Sequence, residues 1–339
     1  MHSHSMNNHL EKLTVIIRSV GERTEKLCYE LTLAQNVSPE SIFVVRESPF
    51  SKAMQASFQI GLERECPWTF CIDADVLLQP GSIEKMLRIA EVQEKNVCEI
   101  QGYILDKFFG GPRTAGNHLY RTSHLEKVIK NIPTDGTDIR PEYYTLQTMK
   151  NQGYPWVVVP YLVGIHDFEQ YYRDIFRKCF VQAHKHQAFT DLFLSIWRTG
   201  ATHDLDYRMA LTGFAKGIEY YDNVSINSKD KIYETYKLEL AKWDIHEKEE
   251  LLAHNFTPNQ VKSIIDNWQE PEIYLKKFPT KLGLVNIAEN HLHNKSKLKH
   301  QRVLQKLHKL GPIKILPYIL GWLLQTIGQR IKKWCLKEN

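Results

Sequence analysis

A buried run that ends in two aspartates is the feature that most constrains the folding of this 339-residue chain. Residues 68–72 are apolar apart from one threonine, and Asp73-Ala74-Asp75 follows them directly. Gln79-Pro80-Gly81 then breaks the pattern. Short apolar runs bounded by turn signals are typical of fully buried strands in parallel sheets. Because open α/β sheets bind ligands at the carboxyl ends of their strands, we expect both aspartates to lie at a ligand-binding edge.

The segments around this run alternate between strand and helix patterns. Strands are predicted at residues 13–17, 41–45, 68–72, 97–105 and 156–163, and helices at 24–36, 52–63, after Pro80-Gly81, at 123–130 and from Pro141. The opening order β-α-β-α-β predicts an α/β fold with a mostly parallel sheet flanked by helices. Residues 110–117 are so rich in glycine that we expect a flexible loop there.

Beyond residue 170 the alternation stops, and residues 171 to about 243 have a mainly helical pattern. Thr257 to Gln260 predicts a capping box at the start of another helix. We therefore divide the chain into four parts. They are a disordered N-terminus (1–10), a catalytic α/β domain (11–175), a helical accessory region (176–310) and a basic amphipathic segment (311–339).

The composition is that of a soluble globular protein, with 42% hydrophobic and 24% charged residues. The start lacks the apolar core of a signal peptide, and the chain has no apolar run of about twenty residues, so we expect neither export nor a conventional membrane span. Six cysteines without a CxxC pair fit reduced thiols in a cytosolic protein. The net charge of +5 is modest, and we expect no nucleic-acid partner.

The spacing of Asp73 and Asp75 has a direct electrostatic consequence. Two carboxylates at one strand end repel each other unless a positive charge lies between them, and a divalent metal that carries a diphosphate is a common solution. The alternative is a pair of solvated acids in a turn. The first interpretation predicts metal-assisted chemistry on a phosphorylated donor.

Four features in a characteristic order resemble the GT-A class of nucleotide-sugar glycosyltransferases, especially the large bacterial family-2-like group. They are the N-terminal strand and loop, Asp73-Ala74-Asp75, the glycine-rich segment with His118-Leu119-Tyr120-Arg121, and an acidic helix start before His166. The similarity covers roughly residues 12–175. It implies that Asp75 coordinates Mn²⁺ or Mg²⁺ on the donor diphosphate, and that Asp73 contacts the ribose or reaches the metal through water. It also implies that His166 completes the metal shell, although His166 can instead be a strand-end histidine bonded to Asp167.

Donor-binding candidates follow the first two strands and lie in the glycine-rich segment. Arg18 and Arg23 are cations able to grip phosphate, and Gly21 allows the backbone close to a ligand. Glu47 is a candidate acceptor for base or ribose hydroxyls, although the family usually has Asp-Asp-Gly-Ser at that strand end. Arg113 completes the donor-binding set. Exposed loop charges are the alternative interpretation of these residues.

The catalytic base has two candidates, Asp138 and Glu142. An inverting enzyme needs a carboxylate beside the attacking sugar hydroxyl. In the family this base is an aspartate in a Glu-Asp pair at a helix start, and this chain has Asp138-Ile139-Arg140-Pro141-Glu142 instead. Glu142 is preferred for its position at the helix start, while either acid can be a plain capping residue. The choice between inversion and retention therefore stays open.

The C-terminal segment combines apolar and basic residues between positions 313 and 336. Such a pattern predicts binding to an anionic membrane surface, and the alternative is a helix docked on the protein itself. Membrane contact at the cytoplasmic face fits a lipid-linked acceptor. We therefore expect a cytoplasmic enzyme associated with the inner face of the plasma membrane.

The predicted function is metal-dependent transfer of a hexose from a nucleotide sugar to a glycan or lipid-linked acceptor in surface polysaccharide or glycoconjugate synthesis. One alternative is a haloacid-dehalogenase-like phosphatase, which also uses Asp-x-Asp after a strand. That motif normally follows the first strand of its domain, whereas two β-α units precede it here. The other alternative is a non-catalytic peripheral membrane adaptor, which leaves the aspartates and the glycine-rich segment unexplained.

Overall fold

Eight strands form one sheet in the computed structural model, which describes residues 10, 12–220, 229–252 and 256–269. The strands are β1 (Leu13–Arg18), β2 (Ile42–Val45), β3 (Trp68–Asp73), β4 (Val76–Leu78), β5 (Glu99–Asp106), β6 (Gly111–Arg113), β7 (Asn117–Arg121) and β8 (Trp156–His166). Their order across the sheet is β2-β1-β3-β7-β5-β8-β4, and β6 pairs with β5.

The sheet is mixed, with most of its strands in one direction. β1 is parallel to both β2 and β3, and β5 is parallel to β8. β7 lies between β3 and β5 and is antiparallel to both, so these two parallel groups run the same way. β4 and β6 are antiparallel partners of β8 and β5. The predicted α/β fold with a mostly parallel sheet flanked by helices is confirmed.

Helices cover both faces of the sheet. They are α1 (Glu25–Leu33), α2 (Phe50–Arg64), α3 (Ser82–Glu91), α4 (Leu125–Lys130), α5 (Pro141–Asn151), α6 (Tyr172–Lys185), α7 (Thr190–Gly200), α8 (Leu205–Ile218), α9 (Lys229–Lys242) and α10 (Pro258–Asp266). In β1, Leu13, Val15 and Ile17 pack with α1, α3 and α10, while Ile16 faces α2, α4 and α5. This two-residue period is what a strand buried on both faces requires.

A second, largely aromatic core joins α6, α7, α8 and α9. Its anchor on the sheet side is Phe108 and Phe109, which follow β5 and pack against Phe176, Phe193 and Trp197. The indole nitrogen of Trp197 donates a hydrogen bond to the Phe108 carbonyl oxygen at 2.7 Å. This packing fixes α6 beside the carboxyl end of β5.

The structure differs from the sequence expectation in the glycine-rich segment. The prediction of a flexible loop at residues 110–117 is wrong, because β6 forms within this segment and pairs with Ile104 to Asp106 of β5. Gly110, with φ of +68°, permits the tight reversal between the two strands. The helix start also differs by one residue, since Gly81 rather than Ser82 is the N-cap of α3.

The later helices agree with the helical pattern predicted beyond residue 170, and the capping box of Thr257 and Gln260 is present at α10. The domain limits at 175 and 310 stay predictions. The predicted N-terminal and membrane-associating segments, except Leu10, lie outside the described residues. Within the described ranges, no helix is long and apolar enough to cross a membrane.

Candidate metal and donor site

The register of the sheet brings acidic and basic strand ends together at one edge. Arg18 at the end of β1 lies opposite Asp73 at the end of β3. Asp106 at the end of β5 lies opposite His166 at the end of β8, and His166 also pairs with Val76, the residue after Asp75. These chain segments are distant in sequence, so the topology of the sheet is what assembles the site.

Asp75, His166 and Asp167 form the carboxylate–histidine group. Each offers a ligand atom, and the three atoms lie within 4.8 Å of one another. All three residues are buried. Among the residues that the structure describes, it is the one group of three or more His, Cys, Asp or Glu side chains close enough together to hold a metal ion. The structure thus brings the predicted ligands Asp75 and His166 together and adds Asp167.

The orientation of His166 is set by its neighbours. Its Nδ1 lies 2.9 Å from Oδ2 of Asp106 and 3.0 Å from Oδ2 of Asp167, while Nε2 faces Oδ1 of Asp75 at 3.4 Å. Burial alone would lower the pKa of His166, but the carboxylates of Asp167 and Asp75 outweigh it and hold this pKa well above its ordinary value. A histidine with one nitrogen held by a carboxylate and the other free to point at a cation is the usual arrangement of a metal ligand.

Asp106 is the residue that holds this histidine. Its Oδ1 accepts hydrogen bonds from the backbone amides of Phe108 and Phe109 at 2.9 and 2.8 Å. Its Oδ2 accepts one from Arg113 Nε at 2.5 Å besides the contact with His166. The side chain is fully buried, so it is a rigid support. Sequence reasoning missed Asp106, although an acid at the end of a buried strand was a signal of the same kind as Asp73.

Lys178 of α6 supplies the positive charge that the two aspartates need. Its ammonium group donates to Oδ2 of Asp75 and to Oδ1 of Asp167. Burial would raise the pKa of Asp75, but Lys178 and His166 hold it well below the ordinary range. No sequence signal identified Lys178, because a lysine on an amphipathic helix normally faces solvent.

The donor set of the carboxylate–histidine group fits the metal that the sequence predicts. Two carboxylates and an imidazole are suitable ligands for Mn²⁺, and Mg²⁺ accepts the carboxylates. Oδ1 of Asp75 is buried and accepts no hydrogen bond, which leaves one oxygen facing His166 Nε2 without a donor. Such an orphaned buried acceptor is costly unless a cation or water satisfies it.

Asp73 lies outside this group, and its carboxylate is turned to Arg18. Oδ1 of Asp73 accepts a hydrogen bond from Nε of Arg18 at 2.9 Å. The side chain keeps 31% of its surface exposed. Gly116 approaches it so closely that an added Cβ would lie 3.1 Å from Oδ2. The predicted contact of Asp73 with donor ribose or a metal-bound water stays a prediction.

Glu142 is the centre of a second buried network, the glutamate cluster, which contains Arg18, Glu99, His118, Tyr120 and Glu142. Arg18 donates to both carboxylate oxygens at 2.8 and 3.1 Å. Tyr120 donates to Oε1 at 2.9 Å, and His118 Nε2 lies 3.0 Å from Oε2. On its other side, His118 Nδ1 lies 3.0 Å from Glu99.

This bonding changes what Glu142 can do chemically. Burial would raise the pKa of Glu142, but Arg18 and His118 hold it far below the ordinary value. In turn, the pKa of His118 is raised to about 10 because Glu142 and Glu99 outweigh the effect of burial. A carboxylate with so low a pKa is a weak proton acceptor. Glu142 as the catalytic base stays a prediction, and the donors on both of its oxygens do not favour it.

The other predicted site residues lie around this edge in different environments. Arg23 donates to Glu169 Oε2 at 2.8 Å and to the Glu249 carbonyl oxygen at 2.6 Å. Gly21 has φ of +91°, and an added Cβ would meet nothing within 4 Å. Glu47 is exposed, and Asp138 is half-buried and accepts the backbone N–H of Arg140 at 2.6 Å.

Three cations, Arg113, Arg140 and Lys185, lie close enough to act on one another electrostatically, and Asp73 acts on Lys185. The pKa of Lys185 at the end of α6 is lowered to about 7, first by burial and then by the charges of Arg113 and Arg140. The carboxylate of Asp73 acts in the opposite direction and raises the pKa of Lys185. The same three cations, together with burial, lower the pKa of His186 to about 3. A concentration of positive charge of this kind is a favourable place for an anion.

Comparison with solved structures finds glycosyltransferases. One is a glycosyltransferase involved in the glycosylation of the major capsid of PBCV-1, with 14% identity over 43% of this chain and 81% of that one, and a TM-score of 0.32. Another is the mannosyltransferase PcManGT from Pyrobaculum calidifontis in complex with GDP-Man and Mn²⁺, with 11% identity over 84% and 88% of the two chains and a TM-score of 0.35.

Both of these solved structures are glycosyltransferases. At these identities and TM-scores, neither structure indicates the donor, the acceptor or the metal of this chain. No protein-family model matches the sequence. No curated protein matches it either.

Proposed function

We propose that this chain is a metal-dependent glycosyltransferase that moves a hexose from a nucleotide sugar to a glycan or lipid-linked acceptor. The observation that carries the proposal is the carboxylate–histidine group at the carboxyl edge of a mostly parallel sheet. Its ligand atoms, burial and orphaned Asp75 oxygen suit a divalent cation. The adjacent cations suit a diphosphate, which is the leaving part of a nucleotide sugar.

The residues at this edge of the sheet would have different roles in such a reaction. Asp75, His166 and Asp167 would hold Mn²⁺ or Mg²⁺, which stabilises negative charge on a departing diphosphate. Asp106 keeps the His166 ring in place through Nδ1. Arg113, Arg140 and Lys185 offer positive charge beside Asp73, where the phosphates of the donor would bind.

The base of an inverting reaction is better sought at Asp138 than at Glu142. Asp138 is half-buried and accepts a backbone N–H from Arg140, so its carboxylate keeps capacity for a sugar hydroxyl. Glu142 has donors on both oxygens. A retaining reaction needs no such base, so the stereochemical outcome stays open.

A calorimetric titration tests the function directly. We expect the purified chain to bind one of GDP, UDP, CDP or dTDP only when Mn²⁺ or Mg²⁺ is present. Asp75→Ala removes a ligand of the cation and should abolish both this uptake and sugar transfer while the circular dichroism spectrum stays unchanged. Asp191→Ala, which alters an exposed aspartate on α7, is the matched control.

Two results would refute the proposal. One is cation-independent nucleotide binding with normal turnover in Asp75→Ala. The other is hydrolysis of phosphomonoesters without transfer, which would favour the phosphatase alternative. A donor screen by thermal shift with several nucleotide sugars and Mn²⁺ then identifies base and sugar.

We further propose that the enzyme acts in surface polysaccharide or glycoconjugate synthesis at the inner face of the plasma membrane. The support is the basic, apolar composition of residues 311–339, which lie outside the described residues. Deletion of residues 311–339 should release the protein from anionic vesicles and leave turnover on a soluble acceptor intact. Unchanged partitioning would exclude this role for the segment.

A further inference from the structure

Lys178 occupies the position in which the carboxylate–histidine group would bind its cation. The ammonium group bridges Oδ2 of Asp75 and Oδ1 of Asp167, and the side chain is only 18% exposed. Oδ2 of Asp167 is already engaged by Nδ1 of His166 at 3.0 Å. The oxygen of Asp167 that remains for a metal is therefore the one that Lys178 contacts.

Two cations cannot share these oxygens at close range. An ammonium group and a divalent ion repel each other strongly in a buried site, where screening by water is weak. The metal can use both aspartates only after the lysine has moved away. A displaced ammonium group needs another anion, because a buried charge without a partner is very costly.

A second partner lies one helical turn before Lys178. Asp174 belongs to the same helix at i−4, and an acid four residues before a lysine is the favourable order for a helical ion pair. Oδ2 of Asp174 is buried and accepts no hydrogen bond. The basic groups that approach Asp174 are more distant than a hydrogen bond, with Arg173 at 3.8 Å and Arg177 at 3.9 Å. Asp174 thus holds an unused acceptor within the reach of the lysine.

We propose that Lys178 is an internal counter-ion that competes with the divalent metal for Asp75 and Asp167, and that it transfers to Asp174 when the metal binds. The inference rests on the proposed function, since it concerns the same metal group. It makes Lys178 a positioning residue, which holds the two aspartates together until the metal arrives. It also gives a role to the otherwise unexplained acceptor of Asp174.

The test is Mn²⁺ affinity, measured by calorimetry and by the electron paramagnetic resonance signal of free Mn²⁺, without nucleotide or turnover. Lys178→Met removes the competitor, and we expect Mn²⁺ to bind more tightly by on the order of tenfold, a common size for coupling between two ligands. Asp174→Asn removes the alternative partner, so Mn²⁺ should bind more weakly than to the unmodified chain. Arg198→Met removes an exposed charge from α7, away from Asp174, and should leave the affinity unchanged.

The outcomes separate this inference from the proposed function. Equal or weaker Mn²⁺ binding by Lys178→Met overturns the competition, and unchanged binding by Asp174→Asn overturns the transfer. If Lys178→Met does not fold, the Asp174→Asn result alone decides. Cation-linked nucleotide binding together with equal Mn²⁺ affinities refutes the inference and leaves the function standing. The expected Mn²⁺ affinities without any nucleoside diphosphate binding would refute the function alone.

Discussion

The two buried charge networks at the edge of the sheet contain similar groups, but their central carboxylates, Glu142 and Asp75, differ in how many of their oxygens have a hydrogen-bond donor. In the glutamate cluster, each oxygen of Glu142 has at least one donor within 3.1 Å. In the carboxylate–histidine group, Oδ1 of Asp75 has no donor, and a flexible lysine supplies the balancing charge. A buried carboxylate with donors on both oxygens is held rigidly, whereas one with an oxygen that lacks a donor is suited to take up a ligand. From this difference we infer that the glutamate cluster stabilises the fold, whereas the carboxylate–histidine group is suited to bind a cation.

Arg18 connects the two regions. It binds Glu142 in the cluster and also donates to Asp73 at 2.9 Å, at the start of the turn that carries Asp75. The arginine is buried and its contact with Glu142 is shielded from water, whereas its contact with Asp73 is partly buried. The rigid contacts of Glu142 therefore fix the position of the turn, and the carboxylate–histidine group, with the proposed metal ligands, lies beyond it.

The largest expected effect is on stability, and it comes from removing the carboxylate of Glu142. Glu142→Ala leaves Arg18 and His118 as buried charges without their shared partner. Loss of one member of a buried ion pair typically costs about 3–5 kcal/mol, so urea denaturation should show a lower free energy of unfolding by about that amount. Tyr120→Phe removes only one neutral donor and should cost about 1 kcal/mol.

The control for this comparison is Glu126→Ala on α4, at an exposed site where a change within about 0.5 kcal/mol is expected. Mn²⁺ affinity should be nearly unchanged in every Glu142→Ala molecule that remains folded. A fully stable Glu142→Ala protein that has lost transfer would contradict our interpretation and restore Glu142 as the catalytic base.

The sequence predicted the order of strands and helices better than it predicted the contacts between segments that are distant in the chain. The alternating pattern of residues 13–105 was enough for the parallel core and for the position of Asp73 and Asp75 at its edge. It failed at residues 111–113, where pairing with β5 outweighs the low strand preference of glycine and proline. Strand pairing between distant segments leaves no local periodicity from which β6 can be read.

The same limit applies to the candidate site. Asp75 and His166 were identified because each follows a strand pattern. Lys178 and Asp75 are 103 residues apart, and Arg18 and Glu142 are 124 apart, so no spacing in the sequence reveals their contacts. Only the register of the sheet and the docking of α6 bring these pairs together.

An intermediate effect is expected from the residue that orients His166. Asp106→Asn keeps the size of the side chain but weakens its hold on Nδ1 of His166. Loss of such a supporting carboxylate typically lowers metal affinity by about 10–100-fold. Calorimetry with Mn²⁺ measures the change, and Asp191→Asn serves as a control on the surface. Unchanged affinity would show that Asp106 supports the fold and not the metal group.

The smallest expected effect is the pH dependence of nucleoside diphosphate binding near Lys185. The charged groups that act on Lys185 are Arg113, Arg140, Asp73 and Lys178, and its pKa is lowered to about 7. A bound diphosphate favours the ammonium form, so the pKa rises on binding and a proton is taken up above pH 7. Affinity for the nucleoside diphosphate should then fall by about fivefold from pH 7 to pH 8, as linkage requires for one such group.

Lys185→Met isolates this contribution, because the nucleotide and the metal ligands titrate equally in both proteins. The variant should bind the nucleotide more weakly at pH 7 and lose the fivefold slope, which calorimetry in two buffers of different ionisation enthalpy detects as absent proton uptake. An identical slope in both proteins would place the phosphates away from Lys185. The donor would then have to bind on the Arg23 side of the edge, where Glu169 and the Glu249 carbonyl already engage the guanidinium group.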